Sequence, residues 1–149
     1  MENFKHRIDT EIIFGKDSIR DLREIIQRYG TNVLLVYGGG SIKRNGIYDK
    51  VYELLDGFNI VECSGIEPNP RIGTVRKGIE KCRENHVDVI LAVGGGSTID
   101  CSKVIAAGYY YDGDSWDLVK GKSKINKALP IVTILTIAAT GSEMNGGAV

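Results

Sequence analysis

The sequence predicts an α/β fold, Rossmann-like, with a mostly parallel sheet flanked by helices. Three observations predict it. Val33-Leu34-Leu35-Val36-Tyr37 is a continuous apolar run, and Val87 to Val93, apolar but for Asp88, repeats the signal of a parallel strand buried on both faces. Each run leads at once into Gly-Gly-Gly-Ser, at 38–41 and 94–97. Segments of helical period alternate with these strands, which makes βαβ units with right-handed crossovers.

Taken in order, Glu11-Ile12-Ile13-Phe14 is expected as a short strand. Gly15-Lys16-Asp17 marks a turn, with Asp17 or Ser18 as a helix cap. Ile19, Leu22, Ile25, Ile26 and Tyr29 recur at helical spacing, and Gly30 ends that helix. After the strand ending at Tyr37, a second helix places Ile47, Val51, Leu54 and Leu55 on its inner face. Phe58 to Val61 reads as a short strand and Ile66 to Pro70 as a loop. Ile72, Val75, Ile79 and Cys82 mark a third helix, which His86 ends. After the second glycine triplet a fourth helix runs to about Ala107. Tyr109 to Asn126 has no period and is expected as a long loop anchored by Trp116. Pro130 to Leu135 is a further buried strand, and Thr136 to Gly147 follows it.

The chain of 149 residues suits one domain, a dinucleotide-binding unit over 1–149. It carries 19 Lys and Arg against 19 Asp and Glu, so no charge footprint points to nucleic acid or an anionic membrane. No apolar run approaches the roughly 20 residues that span a bilayer. Met1-Glu2-Asn3-Phe4-Lys5 lacks a signal core. Cys63, Cys82 and Cys101 are odd in number and not spaced for a metal, so reduced thiols in the cytoplasm are expected. With only His6 and His86, no Ser-His-Asp set is credible. The polar ending reads as a cut through something larger.

The strongest chemical signal is Gly94-Gly95-Gly96-Ser97-Thr98-Ile99-Asp100-Cys101-Ser102-Lys103. Glycines let the main chain approach a phosphate closely, and the helix that follows presents unpaired N–H groups with the positive end of its dipole. A tight turn with Ser97 and Asp100 as a capping box is the alternative, and the two are compatible. The spacing matches neither Walker A nor the usual dinucleotide fingerprint, because Lys43 and Ile99 stand where a third glycine belongs. At the first triplet, Gly38 and Gly39 follow the strand with no acid nearby to take a ribose 2′-hydroxyl. Ser41, Lys43 and Arg44 follow instead and suit a 2′-phosphate. NADP(H) is therefore favoured over NAD(H), a solvated helix start being the alternative. Asp112, Asp114 and Asp117 superficially suggest calcium, but Ser123 stands where the loop needs glutamate.

The run at 94–103, Glu67-Pro68-Asn69-Pro70, and Thr136-Ile137-Ala138-Ala139-Thr140-Gly141-Ser142-Glu143 together resemble the iron-containing alcohol dehydrogenase family, in the family's order. Tyr37 to Gly46 is most similar to its butanol dehydrogenase branch. The resemblance implies that Gly95, Gly96 and Ser97 bind the pyrophosphate and that Asp100 lies beside it near the nicotinamide. It implies that Asn69 positions the cofactor and that Thr136 and Thr140 line the nucleotide cleft, with Ser142 a further candidate. Simpler roles stay open: a rigid extended corner at Asn69, backbone-satisfying loop threonines, and a cap or a Lys103 partner for Asp100. The resemblance also implies an absent helical C-terminal domain holding iron or zinc, and hydride transfer between nicotinamide and a small alcohol or aldehyde. Self-association stays open. The chain alone is expected to be inactive and to contribute no catalytic or metal-ligating residue. Alternatives are the cofactor domain of a glycerol dehydrogenase or dehydroquinate synthase, which the GGGS and TGSE segments disfavour, and a stand-alone nucleotide-binding module.

Overall fold

The computed structural model describes residues 9–139 and 141–148; His6 and Thr140 lie outside them. Four strands, β1 (Asn32–Tyr37), β2 (Asn59–Cys63), β3 (Val89–Gly94) and β4 (Ile131–Leu135), form one sheet in the order β2-β1-β3-β4. Every pairing is parallel, with Leu34 opposite both Val61 and Ile90. β1 and β3 are buried on both faces, which is why they read as unbroken apolar runs.

The chain leaves β1 for β2 in one direction, then crosses back over β1 to reach β3 and β4. Crossovers of one hand then put the helices on opposite faces. On one face Val33, Leu35, Tyr37, Val89, Leu91 and Val93 pack against α1 (Leu22–Gln27), α2 (Ser41–Arg44) and α3 (Ile47–Leu54). On the other, Leu34, Val36 and Ile90 meet α4 (Ile72–Glu84) and α5 (Gly96–Tyr109). The order reverses between β1 and β3. That switch point is where the loops at the carboxyl ends part and leave a crevice.

Several local expectations change. Residues 11–14 form no strand; Ile12 is 64% exposed and Phe14 98%, and they pair with no strand among the described residues. A strand needs a neighbour for its N–H and C=O groups, and three apolar residues after Glu11 do not supply one. Asp17 adopts a left-handed φ of 62° and makes no side-chain cap. The expected first helix opens as a 3-10 turn, Ser18–Asp21, before α1. The second helix is broken into α2 and α3 by Gly46, at a φ of 80°. α4 ends at Glu84, and His86 follows it with a φ of 49°.

The expected loop at 109–126 contains a short helix, α6 (Ser115–Val119), started by Asp114, whose carboxylate accepts from the Trp116 amide at 3.1 Å. Trp116 is 41% exposed and does not anchor this segment. Ser115 is buried, and Arg76 grips the Asp114 carboxylate with two hydrogen bonds. Asp114 is thus a helix cap and ion-pair partner, held below the ordinary carboxylate range by the Arg76 guanidinium. No helix among the described residues is long and apolar enough to cross a membrane.

Candidate functional site

The loops after all four strands meet at the switch point. The Gly65 amide donates to the Gly38 carbonyl at 3.3 Å, and Ile66 to Tyr37 at 3.2 Å, which ties the exit of β2 to that of β1. The Thr136 amide donates to the Gly94 carbonyl at 3.0 Å, which ties the exit of β4 to that of β3. Between the two ties lies an open cleft of about 620 Å³, lined by Gly39, Gly65 to Pro68, Gly95 to Thr98, Ile137 and Ala139.

The glycines of each triplet serve different ends. Gly40 has a φ of 96°, a left-handed conformation that only glycine adopts without strain. A Cβ on Gly94 would lie 2.5 Å from the Thr98 hydroxyl and 2.9 Å from its Cβ, so packing excludes one there. Gly39 and Gly95 are not required by the fold. A Cβ on Gly39 would meet nothing within 4 Å, and one on Gly95 would make an ordinary 3.8 Å contact with Ile137. Gly95 is also extended, at φ −100° and ψ −164°, a conformation open to any residue. Both bare positions face the cleft. At both, the main chain is open to the cleft, and a Cβ would project into space that a closely approaching group could use.

α5 starts at Gly96 with Gly95 as its N-cap. The capping box weighed as the alternative does not form: no side chain caps α5, because Ser97 is already inside the first turn. The Ser97 hydroxyl instead accepts a long 3.4 Å bond from the Asn69 amide. Asn69 has a φ of 57°, so it is a left-handed corner and not an extended one. The amides of Thr98 and Ile99 are bonded to the Gly95 carbonyl. The first turn of a 14-residue helix, with no acidic residue in it, therefore points its positive end into the cleft.

A family profile described as iron-containing alcohol dehydrogenase matches residues 9–149. The chain belongs to the iron-containing alcohol dehydrogenases. It is 63% identical over 147 residues to NADH-dependent butanol dehydrogenase A of Clostridium acetobutylicum, an alignment covering 97% of this chain and 38% of that protein. NADPH-dependent aldehyde reductase YqhD of Escherichia coli is 44% identical, over 100% of this chain and 39% of that one. Among solved structures, NADH-dependent butanol dehydrogenase A from Thermotoga maritima superposes with a TM-score of 0.94 at 48% identity, over 99% of this chain and 38% of the other. The chain thus spans less than two fifths of the length of these relatives.

In this iron-containing alcohol dehydrogenase chain, Gly39, Gly95, Gly96 and Ser97 line the cleft, while Gly38, Asn69 and Thr136 are hydrogen-bonded to Gly65, Ser97 and Gly94 at its edges. Asp100 is buried within α5, about one turn from its start, and Ser142 is buried in a 3-10 turn, Ser142–Met144, that packs against α5. Asp100 accepts from Lys103 at 3.3 Å, the partner role foreseen as its alternative. Ser41 opens α2 and is exposed. Lys43 lies over the rings of Tyr48 and Tyr37, 4.5 and 5.5 Å from their centroids. The Tyr37 hydroxyl pushes its ammonium above the ordinary lysine range.

An acid does stand near the first triplet, across the sheet from Leu35. Glu62 accepts from the hydroxyls of Tyr37, Tyr48 (2.5 Å) and Tyr52 (2.7 Å). Burial pushes its carboxyl up, but the three hydroxyls and Lys43 outweigh burial and hold it below the ordinary range. Burial and Glu62 push the Tyr37 and Tyr52 phenols up. Sequence reasoning missed Glu62 because it lies 25 residues from Tyr37. It also missed Gly65 and Ile66, whose signal was a glycine after a strand, here at a φ of 79°. Among the described residues, no group of three or more His, Cys, Asp or Glu could hold a metal ion.

Proposed function

We propose that residues 1–149 are the cofactor-binding part of a metal-dependent alcohol dehydrogenase or aldehyde reductase, in which hydride passes between nicotinamide C4 and the carbon of a small alcohol or aldehyde. The observation that carries this is Gly95: bare, unstrained, unneeded by packing, and set against the open end of α5. In that cradle the amides of the α5 turn hold the pyrophosphate, while Asn69 and Thr136 fix the flanking walls. In this reading the Lewis acid that would polarise the substrate oxygen is held by residues outside 1–149. His86 precedes the amino end of β3, whereas the cradle lies at its carboxyl end, about 20 Å away at roughly 3.3 Å per strand residue. Buried, unbridged Cys63, Cys82 and Cys101 support a reducing, cytoplasmic setting.

Within this reading NADP(H) is preferred over NAD(H). Gly39 offers room and no carboxylate, and the one acid beside Tyr37, Glu62, is engaged by three phenol donors. The names of the relatives divide between NADH-dependent and NADPH-dependent enzymes. The test is titration of NADPH and NADH into the 149-residue chain, with amide exchange to map the bound cofactor. Tighter NADPH binding that protects residues 94–98 is expected. Protection elsewhere, or no binding at all, refutes the site; tighter NADH binding refutes only the preference. Adding iron or zinc with butanal and NADPH should give no turnover above a protein-free control.

A further inference from the structure

We infer that Lys103 is a positioning residue that pins the fourth wall of the cleft to the phosphate-binding helix. This builds on the reading of the cleft as the cofactor site. Lys103 lies two turns into α5, and its side chain is only 16% exposed. An ammonium has three donors, and here three acceptors meet it: Asp100 Oδ1 at 3.3 Å, Asn145 Oδ1 at 3.2 Å and the Gly147 carbonyl at 2.6 Å. Asp100 is on α5 itself, whereas the other two belong to the segment after β4. That segment is organised around Asn145, whose side chain donates to the Gly141 carbonyl at 3.0 Å and accepts from the Gly147 amide at 3.0 Å.

Among the described residues the segment is tied by the bond from the Thr136 amide to the Gly94 carbonyl, at the root of the glycine turn, by Lys103, and by the exposed Thr10 hydroxyl, which donates to the Glu143 carbonyl at 3.2 Å. Ile137 and Ala139, which form the cleft wall opposite Gly95, lie between Thr136 and the residues that Lys103 holds. Lys103 does not line the cleft, so it acts on the cofactor only through this wall. Asp100 keeps the ammonium aimed at the segment, and the pair is nearly buried, which shields it from solvent screening.

Lys103→Met keeps the aliphatic stem and removes all three donors; Lys103→Arg keeps charge and donors. In Lys103→Met, amide exchange at residues 141–147 should speed up at least tenfold, while α5 and the central strands keep their protection. NADPH affinity should fall roughly tenfold, the size of one lost charge-assisted hydrogen bond. Lys103→Arg should restore most of both. The exchange measurement needs no cofactor: unchanged exchange at 141–147 in a folded Lys103→Met overturns the pin whether or not NADPH binds. Faster exchange with unchanged NADPH affinity, in a chain whose unmutated form binds NADPH, overturns the positioning role. If the unmutated chain binds no NADPH, the cofactor reading fails and the positioning role fails with it. Loss of α5 protection in both variants also overturns the proposal, because Lys103 would then be holding the helix and not the wall.

Discussion

Two adjacent glycines should give opposite results when each is changed to alanine. At Gly94 the new Cβ would sit 2.5 Å from Thr98 Oγ1 and 2.9 Å from Thr98 Cβ. Neither atom is the far end of a flexible chain, so β3 and the first turn of α5 must move apart. Overpacking of this kind costs about 1–3 kcal/mol. At roughly 2–4 °C per kcal/mol for a chain of this size, the melting temperature should drop by about 2–12 °C. At Gly95 the nearest atom to the new Cβ is Ile137 Cβ at 3.8 Å, and the backbone is already extended. Stability should change by no more than about 0.5 kcal/mol. The methyl group instead occupies the space that a pyrophosphate needs to reach the α5 amides. Charge-assisted hydrogen bonds are worth about 1.5–3 kcal/mol each, so weakening one lowers NADPH affinity about tenfold to a hundredfold. Thermal melts and NADPH titrations of the two variants, side by side, check this. A Gly95→Ala variant that binds NADPH as tightly as the unmutated chain refutes the assignment of the cradle. One that melts as low as Gly94→Ala shows that the fold, and not a ligand, keeps Gly95 bare.

A Cβ at Gly39 meets nothing within 4 Å, so Gly39→Asp should fold normally and shift preference toward NADH by roughly tenfold, read as the ratio of the two dissociation constants. Glu62 is held below its ordinary pKa of 4.5, so its contribution to stability is present above about pH 4.5 and is lost as pH falls through the lower folded-state value. Urea midpoints of Glu62→Gln should lie below those of the unmutated chain at pH 7, and the gap should narrow under acid; a constant gap would rule out the charged role. Burial pushes the Cys82 and Cys101 thiols up to about 12, so neither should react with a thiol reagent at pH 8 until the chain is unfolded. Stoichiometric labelling of the native protein at the rate of a free thiol would contradict their burial.

The sequence by itself determined the fold class and the two turns that matter. A parallel strand covered on both faces must be apolar along its whole length, so β1 and β3 announce themselves without alternation. Glycine triplets after such strands announce backbone-built sites, and the motif order around Asn69 and Gly141 carries the family. Only the tertiary structure decided which glycines the fold requires and which it leaves free. Gly40 and Gly94 look like Gly39 and Gly95 in sequence; a φ angle and the position of Thr98 separate them. The same holds for polar partners. Lys43 lies over tyrosine rings, and Glu62, 25 residues from Tyr37, stands near the first triplet unseen by local reading, with its carboxylate engaged by three phenols. Residues 11–14 looked like a strand, yet they have no strand partner among the described residues. Periodicity and backbone preference act over a few residues and are written locally. Pairing, packing and hydrogen-bond choice depend on neighbours that the chain brings together from tens of residues away, and those neighbours exist only once the sheet has formed.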